Sequence, residues 1–135
     1  MVTARDVMTL DVYTVRKDTP LCEAIEVMLD HGISGLPVVE EDMTLLGIIT
    51  EKDVLRLYEN PAQAVSLTVE DFMTAPAIFF DEHDTLDNIC RCLLRHHFRR
   101  VPVTSDGKVI GIVSRPDIAK RILRLVQEQA ADRLE

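Results

Sequence analysis

Apolar residues recur with a helical period at two places in the chain. In each half, four apolar side chains fall at i, i+4, i+7 and i+8, which is the spacing of one helix face. These are Leu21, Ile25, Met28 and Leu29 in the first half, and Leu86, Cys90, Leu93 and Leu94 in the second. We therefore predict two amphipathic helices that bury these positions.

Each predicted helix is followed by two short apolar runs that indicate a β-hairpin. The runs LPVV and LLGIIT flank a polar turn in the first half, as VPVT and VIGIVS do in the second. Asp106-Gly107 is a strong tight-turn signal, because glycine accepts a positive φ without steric penalty. The return runs are almost wholly apolar, which predicts strands that are covered on both faces.

The remaining segments are also alike in the two halves. The stretches TARD and TVED have the hydroxyl-x-x-acid spacing of a capping box, which predicts a short helical turn. The extended segments DVYTV and PAIFF follow them, and a further helix is expected after Thr50 and after Ser114. The last helix is expected to present Ile118 and Ile122 on one face.

The chain is therefore a tandem repeat. The second "MT" lies 65 positions after the first, and so does the proline that begins each hairpin. The glycine of the return strand is displaced by 64 positions, because the second hairpin loop is one residue shorter. We predict an α+β fold in which two β-α-β-β-α units pack sheet to sheet about a pseudo-twofold axis. The units are expected at residues 1–60 and 68–135, with a linker at residues 61–67.

Composition and charge exclude several classes of partner. The 135 residues are 47% hydrophobic and 4% aromatic, and their net charge is −8. This acidic balance argues against general binding to nucleic acid or to anionic membranes, which needs clustered Lys and Arg. No apolar run approaches the roughly 20 residues of a membrane span, and no signal-peptide pattern is present, so we expect a cytoplasmic protein. The three cysteines have no framework spacing and are expected to be small buried hydrophobes.

The repeated motifs GIITEKD and GIVSRPD allow two interpretations. Thr50 and Ser114 suit helix N-caps, and Asp53 and Asp117 complete capping boxes three residues later, so no ligand is needed to explain them. The same geometry suits a nucleotide, because a helix N-terminus attracts phosphate and a carboxylate accepts hydrogen bonds from a ribose diol. The glycine upstream would let a ligand approach the backbone closely.

Basic residues distinguish the two copies. The second copy places Arg99 and Arg100 just before its hairpin, where the first copy has no base. Arginine grips phosphate in a bidentate manner, although a solvated or acid-paired surface explains these residues equally well. If an anion binds, the cleft that contains Arg99 or Arg100 is expected to be the better one. The sequence leaves open which aspartate shares that cleft.

Metal binding and catalysis find no support in the sequence. The histidines lack the spacing of a zinc site. No nucleophile elbow, phosphate-binding loop or dinucleotide fingerprint is present. We therefore expect neither a metal nor catalytic residues.

The ordered motifs resemble a tandem pair of cystathionine β-synthase (CBS) domains, often called a Bateman module. The resemblance is carried by DVMT with DFMT, GLPVV with RVPVT, and GIITEKD with GIVSRPD. It implies a non-catalytic regulatory module that binds adenosine-containing ligands in clefts between the two units. AMP, ADP or ATP is the implied ligand, S-adenosylmethionine and NADH are alternatives, and no cofactor is required. The resemblance also implies a homodimer.

The resemblance further implies which residues face the ligand. The motif hydroxyl and the ribose-binding aspartate are Thr50 with Asp53 in one copy and Ser114 with Asp117 in the other, and Arg115 lies near the second helix start. The backbone expected to frame the adenine comprises Tyr13, Thr14, Val15, Ile33, Ser34 and Gly35 in the first copy, and Ala77, Ile78, Phe79, Phe98, Arg99 and Arg100 in the second.

The rival prediction is a dimerisation or protein-interaction module whose clefts stay empty. In either case the module would act on an effector protein that the sequence does not identify. An enzyme is the third alternative, and it would need a general base poised in a cleft.

Overall fold

The first half of the chain forms an amphipathic helix and a hairpin between two short helices. The computed structural model describes residues 1–134. In order, its first elements are α1 (Ala4–Val7), α2 (Leu21–His31), β1 (Gly35–Val39), β2 (Leu45–Thr50), α3 (Glu51–Val54) and a 3₁₀ turn at Leu55–Leu57. The strands β1 and β2 are antiparallel, with Gly35 opposite Thr50. The preceding extended segment makes a single parallel bridge, from Val15 to Val38.

The second half repeats this order with one more strand. A 3₁₀ turn at Pro61–Val65 leads into α4 (Val69–Phe72), β3 (Phe80–Asp81), α5 (Leu86–Arg95), β4 (Arg100–Ser105), β5 (Lys108–Ser114) and α6 (Arg115–Leu134). The strand β4 pairs in parallel with β3 and antiparallel with β5. Asp106 and Gly107 have φ values of 51° and 78°, which confirms the predicted tight turn. The mixed α+β class is also confirmed.

The opening segment of each half packs on the other half. Ala4 in α1 is fully buried in the core of the second half, and Val69 in α4 is fully buried in the core of the first. The capping boxes begin both short helices as predicted. In the first box, hydrogen bonds from the backbone N–H and hydroxyl of Thr3 hold the pKa of the Asp6 carboxyl below its usual value. The two halves are thus interlocked.

The glycine of each return strand makes room for this crossing. A Cβ atom on Gly47 would lie 2.6 Å from the carbonyl oxygen of Thr74. A Cβ atom on Gly111 would lie 2.5 Å from Sδ of Met8 and 3.0 Å from the carbonyl oxygen of Thr9. The expectation that these glycines admit a ligand was therefore wrong, because the other half of the chain occupies the space beside them.

Several predicted core positions are exposed instead. Leu29 is 72% exposed and Leu94 is 88% exposed, although both share the predicted helical spacing. The inner faces of α2 and α5 are completed by Ala24 and Ile89, which are fully buried. Cys22 is exposed, contrary to the expected burial of the cysteines.

The last helix is also less buried than its pattern suggested. Ile118 is buried at 6% exposure, but Ile122 is 48% exposed and Val126 is 56% exposed. Beyond its first turns α6 therefore presents an apolar face to solvent.

Candidate functional site

A cleft of about 920 Å³ lies between the two halves of the chain. Its apolar walls come from both halves and consist of Pro37, Ile48, Ile78, Phe98, Val101 and Ile112. The motif residues Thr50 and Asp53 lie at one side, together with Thr74 from the second half. The cleft therefore offers apolar area for a flat ring next to a group of hydrogen-bonding side chains.

Asp53 is the centre of this group of hydrogen-bonding side chains, and its own side chain is only 14% exposed. Its Oδ2 accepts hydrogen bonds from the backbone N–H of Thr50 at 2.9 Å and from the Thr50 hydroxyl at 3.1 Å. Its Oδ1 accepts a hydrogen bond from the Thr74 hydroxyl at 3.2 Å, and the Arg56 guanidinium lies 3.9 Å away. The carboxylate thus caps α3, faces the cleft and is held by both halves of the chain.

The pseudo-twofold axis repeats this arrangement on the other side. Asp117 accepts hydrogen bonds from the backbone N–H and the hydroxyl of Ser114, both at 2.8 Å. Its Oδ1 accepts a hydrogen bond from the Thr9 hydroxyl at 3.1 Å. Both capping boxes predicted in the repeated motifs are therefore present, and each is completed by the "MT" threonine of the opposite half.

The cleft is strongly basic, although the whole chain carries a net charge of −8. Its lining includes five Lys and Arg side chains, which are Lys52, Arg56, Arg95, Arg99 and Arg100, and also His96 and His97. Two acids, Glu51 and Asp53, oppose them. This imbalance concentrates positive potential at one place on an acidic molecule, which favours an anionic ligand.

Eight of the residues predicted from the sequence to bind ligand line this cleft. They are Ser34, Gly35, Thr50, Asp53, Ile78, Phe98, Arg99 and Arg100. The structure thereby resolves which aspartate shares a cleft with Arg99 and Arg100, because Asp53 does so and Asp117 does not. Both halves contribute to one cleft, in which the motif residues Thr50 and Asp53 of the first half face Phe98 and Arg99 of the second.

The other predicted residues lie outside this cleft. Ser114 and Asp117 lie on the mirror side of the pseudo-twofold axis, and Val15 and Ile33 are buried in the core of the first half. Those that remain are Tyr13, Thr14, Ala77, Phe79 and Arg115, which are partly or fully exposed.

Arg115 has a different local partner. Its Nε donates a hydrogen bond to the carbonyl oxygen of Phe98 at 3.0 Å, and its guanidinium also reaches the carbonyl oxygen of His96 at 3.5 Å. Both carbonyl groups lie just beyond α5, in the segment that joins this helix to β4. Arg115 thus fixes the loop that carries Phe98 into the cleft.

Sequence reasoning missed part of the site. Thr74 and Arg95 line the cleft but were not proposed as ligand-binding residues. The hydroxyl of Thr74 had a signal, because "MT" recurs in both halves with a hydroxyl side chain at the same position. Arg95 could have been inferred less directly, since it is a basic residue at the end of the second amphipathic helix, just before His96 and His97.

Within residues 1–134, no group of three or more His, Cys, Asp and Glu side chains is arranged to hold a metal ion. None of the helices in that part of the chain is both long and apolar enough to cross a membrane.

Burial raises the pKa of the Cys90 thiol above its usual value, and the nearby Asp87 carboxylate adds to this effect.

Comparison with known proteins gives consistent matches. A family model for the CBS domain matches residues 4–60 and again residues 69–124. The uncharacterized protein MJ1225 of Methanocaldococcus jannaschii is 31% identical over 116 residues, which cover 86% of this chain and 41% of that protein. The structure of CBSX2 in complex with AMP, a protein of Arabidopsis thaliana, is 30% identical with a TM-score of 0.82 and covers 93% of this chain and 98% of that one.

A second solved structure extends the range of ligands among similar proteins. The CBS domain pair of protein MJ0100, in complex with 5′-methylthioadenosine and S-adenosyl-L-methionine, is 27% identical with a TM-score of 0.76. The match covers 90% of this chain and 96% of that one. Some curated relatives are much longer, since the chain spans 61% of chloroplastic CBSX1 and 23% of an inosine-5′-monophosphate dehydrogenase from Aquifex aeolicus.

Proposed function

The chain belongs to the CBS-domain family, and we propose that it is a non-catalytic regulatory module that binds an adenosine nucleotide in the cleft between its halves. AMP, ADP or ATP is the proposed ligand class. The observation that carries the proposal is the meeting of Asp53, five basic side chains and an apolar wall in a single cleft.

Asp53 is the proposed ribose-binding group. A carboxylate offers about four lone-pair sites, and Oδ1 of Asp53 accepts one hydrogen bond, from Thr74. One lone pair of Oδ1 therefore remains for a ribose hydroxyl, and displacement of the exposed Thr74 hydroxyl would free a second. The capping role and the ligand-binding role are compatible, because the cap uses Oδ2.

The other two parts of a nucleotide match the remaining surfaces of the cleft. The exposed side chain of Ile78 and the ring of Phe98 provide apolar area for the adenine. The guanidinium groups of Arg95, Arg99 and Arg100 suit the phosphates, since arginine forms charge-assisted and bidentate hydrogen bonds with them. The complexes of CBSX2 with AMP and of MJ0100 with two adenosine derivatives support the choice of adenosine.

The charge of the cleft orders the candidate ligands. S-adenosylmethionine carries a cationic sulfonium, which the five basic side chains would repel, whereas phosphates are attracted. S-adenosylmethionine is therefore a weaker alternative to AMP, ADP and ATP, whereas NADH carries an anionic pyrophosphate and stays an alternative that the charge of the cleft does not disfavour.

Regulation follows from differential binding. The cleft is built from both halves of the chain, so a ligand that contacts Asp53 and Arg99 together stabilises one relative arrangement of the two halves. A ligand shifts a conformational equilibrium only by the difference in its affinity for the two states. We propose that this shift changes the affinity for an effector protein.

A ligand-free interaction module is the second candidate, and one observation favours it. Leu123 and Val126 on α6 are 55% and 56% exposed, and Ile122 next to them is 48% exposed. An apolar helix face of this kind is suited to association with a second copy of the chain. The proposed homodimer is compatible with both functions.

A thermal-shift screen with AMP, ADP, ATP, S-adenosylmethionine and NADH separates the two functions. A ligand at 100 times its Kd stabilises the folded state by about 2.7 kcal/mol, so we expect a clear rise in Tm with an adenine nucleotide. The rise should diminish with added salt, because the attraction is electrostatic. No shift with any of the five compounds would contradict nucleotide binding and favour the interaction module.

A further inference from the structure

We infer that each chain binds one nucleotide rather than two, because an intramolecular stack of Tyr13 on His31 closes the mirror-related groove. This inference rests on the proposed function, since it concerns how many such ligands the chain holds.

The mirror groove has the same group of hydrogen-bonding side chains as the first cleft. Asp117 is capped by Ser114 and held by Thr9 in the same way as Asp53 is held in the first cleft. The backbone N–H of Arg115 donates to the carbonyl oxygen of Arg99 at 3.2 Å, as that of Glu51 donates to the carbonyl oxygen of Ser34 at 2.9 Å. The symmetry of the fold alone would therefore predict two equal sites.

Aromatic side chains break this symmetry. The rings of Tyr13 and His31 are stacked, with centroids 3.7 Å apart and an interplanar angle of 18°. The residues 65 positions later are Ile78 and His96, and both of them line the first cleft.

The equivalent pair in the first cleft does not close it. The ring of His96 lies against Phe98 at a centroid distance of 5.1 Å, and the side chain of Ile78 is 44% exposed. In the mirror groove the Tyr13 ring covers His31 instead. The position that is open to an adenine in the first cleft is thus filled by a side chain of the protein itself.

Charge breaks the symmetry in the same direction. Arg95 of the first cleft corresponds to Asp30, and Lys52 corresponds to Pro116. Arg56 corresponds to Lys120, so one of these three bases is retained in the mirror groove. Arg99 and Arg100 correspond to Ser34 and Gly35, whereas Glu51 corresponds to Arg115. The phosphates of a nucleotide would therefore meet two bases and two acids there, in place of five bases and two acids.

The aromatic stack and the less basic charge both lower the affinity of the mirror groove for a nucleotide. Displacing an aromatic stack of this kind lowers the apparent affinity by about two- to tenfold. Loss of the basic side chains lowers it further, since each charge-assisted hydrogen bond contributes about tenfold or more. A nucleotide concentration that saturates the first cleft should therefore leave the mirror groove empty.

Isothermal titration calorimetry of the full chain with ATP tests the inference. The wild-type chain should saturate at one ATP per chain. The variant Tyr13→Ile with Asp30→Arg copies two residues of the first cleft, Ile78 and Arg95, and should bind a second ATP. Tyr13→Phe is the matched control, because it keeps the aromatic stack and should still bind one.

The outcomes distinguish the two proposals. Two equivalent ATP molecules per wild-type chain would overturn the closed groove and leave nucleotide binding intact. No binding of ATP to any variant would contradict the proposed function itself. If the double variant is unfolded by circular dichroism, Tyr13→Ile alone serves in its place. A folded variant that still binds one ATP, with an affinity at the first cleft equal to that of the wild type, would also overturn the inference.

Discussion

Thr74 donates a hydrogen bond from its hydroxyl to Oδ1 of Asp53 over 3.2 Å, although the two residues belong to opposite halves of the chain. The mirror pair, Thr9 and Asp117, makes the same bond at 3.1 Å. The carboxylate that we assign to the ribose is therefore held through Oδ2 by its own half and through Oδ1 by the opposite half. This links the geometry of the ligand site directly to the arrangement of the two halves.

Replacing Thr74 with valine should weaken the interlock. The variant keeps the shape of the side chain and removes one hydrogen bond, which contributes about 0.5–1 kcal/mol at a partly exposed site. We expect Thr74→Val and Thr9→Val to lower the free energy of unfolding by similar amounts in urea denaturation. An unchanged stability in Thr74→Val would mean that this bond does not hold the two halves together.

Gly47→Ala should be more damaging than Gly111→Ala. The new methyl group at Gly47 would meet the backbone oxygen of Thr74, which cannot move without breaking the bridge between Ile48 and Thr74. At Gly111 the closest atom is the end of the flexible Met8 side chain. We expect a loss of about 1–3 kcal/mol for Gly47→Ala, by thermal or urea unfolding, and a smaller one for Gly111→Ala. Equal losses at both glycines would contradict this assignment of the close approach.

Arg95→Ala should reduce the affinity for ATP more than the affinity for AMP. Removing one charge-assisted partner costs about tenfold in affinity, and a triphosphate presents more charge to the arginines than a monophosphate does. The matched control is Arg91→Ala, because Arg91 is an exposed arginine on α5 outside the cleft lining. Titration calorimetry with ATP and with AMP, at two salt concentrations, measures the loss of affinity in each variant. Similar losses in the two variants would show that general charge, rather than the cleft, governs binding.

The elements that depend on local chemistry could be predicted from the sequence. Capping boxes need a hydroxyl and an acid three residues apart, and the turn at Asp106 and Gly107 needs residues that accept a positive φ, so local spacing was sufficient. The duplicated order of elements followed from the repeat, and the CBS resemblance followed from motifs within it.

The features that depend on the crossing of the two halves could not be predicted. Helical spacing did not reveal that Leu29 and Leu94 face solvent, since burial is decided by which element packs against each helix. No local pattern showed that α1 packs in the core of the second half and α4 in the core of the first. This crossing explains why Gly47 has no room for a side chain and why Asp53 shares a cleft with Arg99. The stack of Tyr13 on His31 is a contact across 18 positions of sequence, and residue spacing carries no signal for it.

The central claim is that the nucleotide binds at Asp53, and it is tested most directly by comparing Asp53→Asn with Asp117→Asn. The two aspartates cap helices and accept threonine hydrogen bonds with nearly identical geometry, so both variants should lose about the same stability, roughly 1 kcal/mol. In titration calorimetry with ATP, we predict that Asp53→Asn loses about 10- to 150-fold in affinity. Asp117→Asn should retain the wild-type affinity. Equal affinities in the two variants, or a loss confined to Asp117→Asn, would contradict the claim.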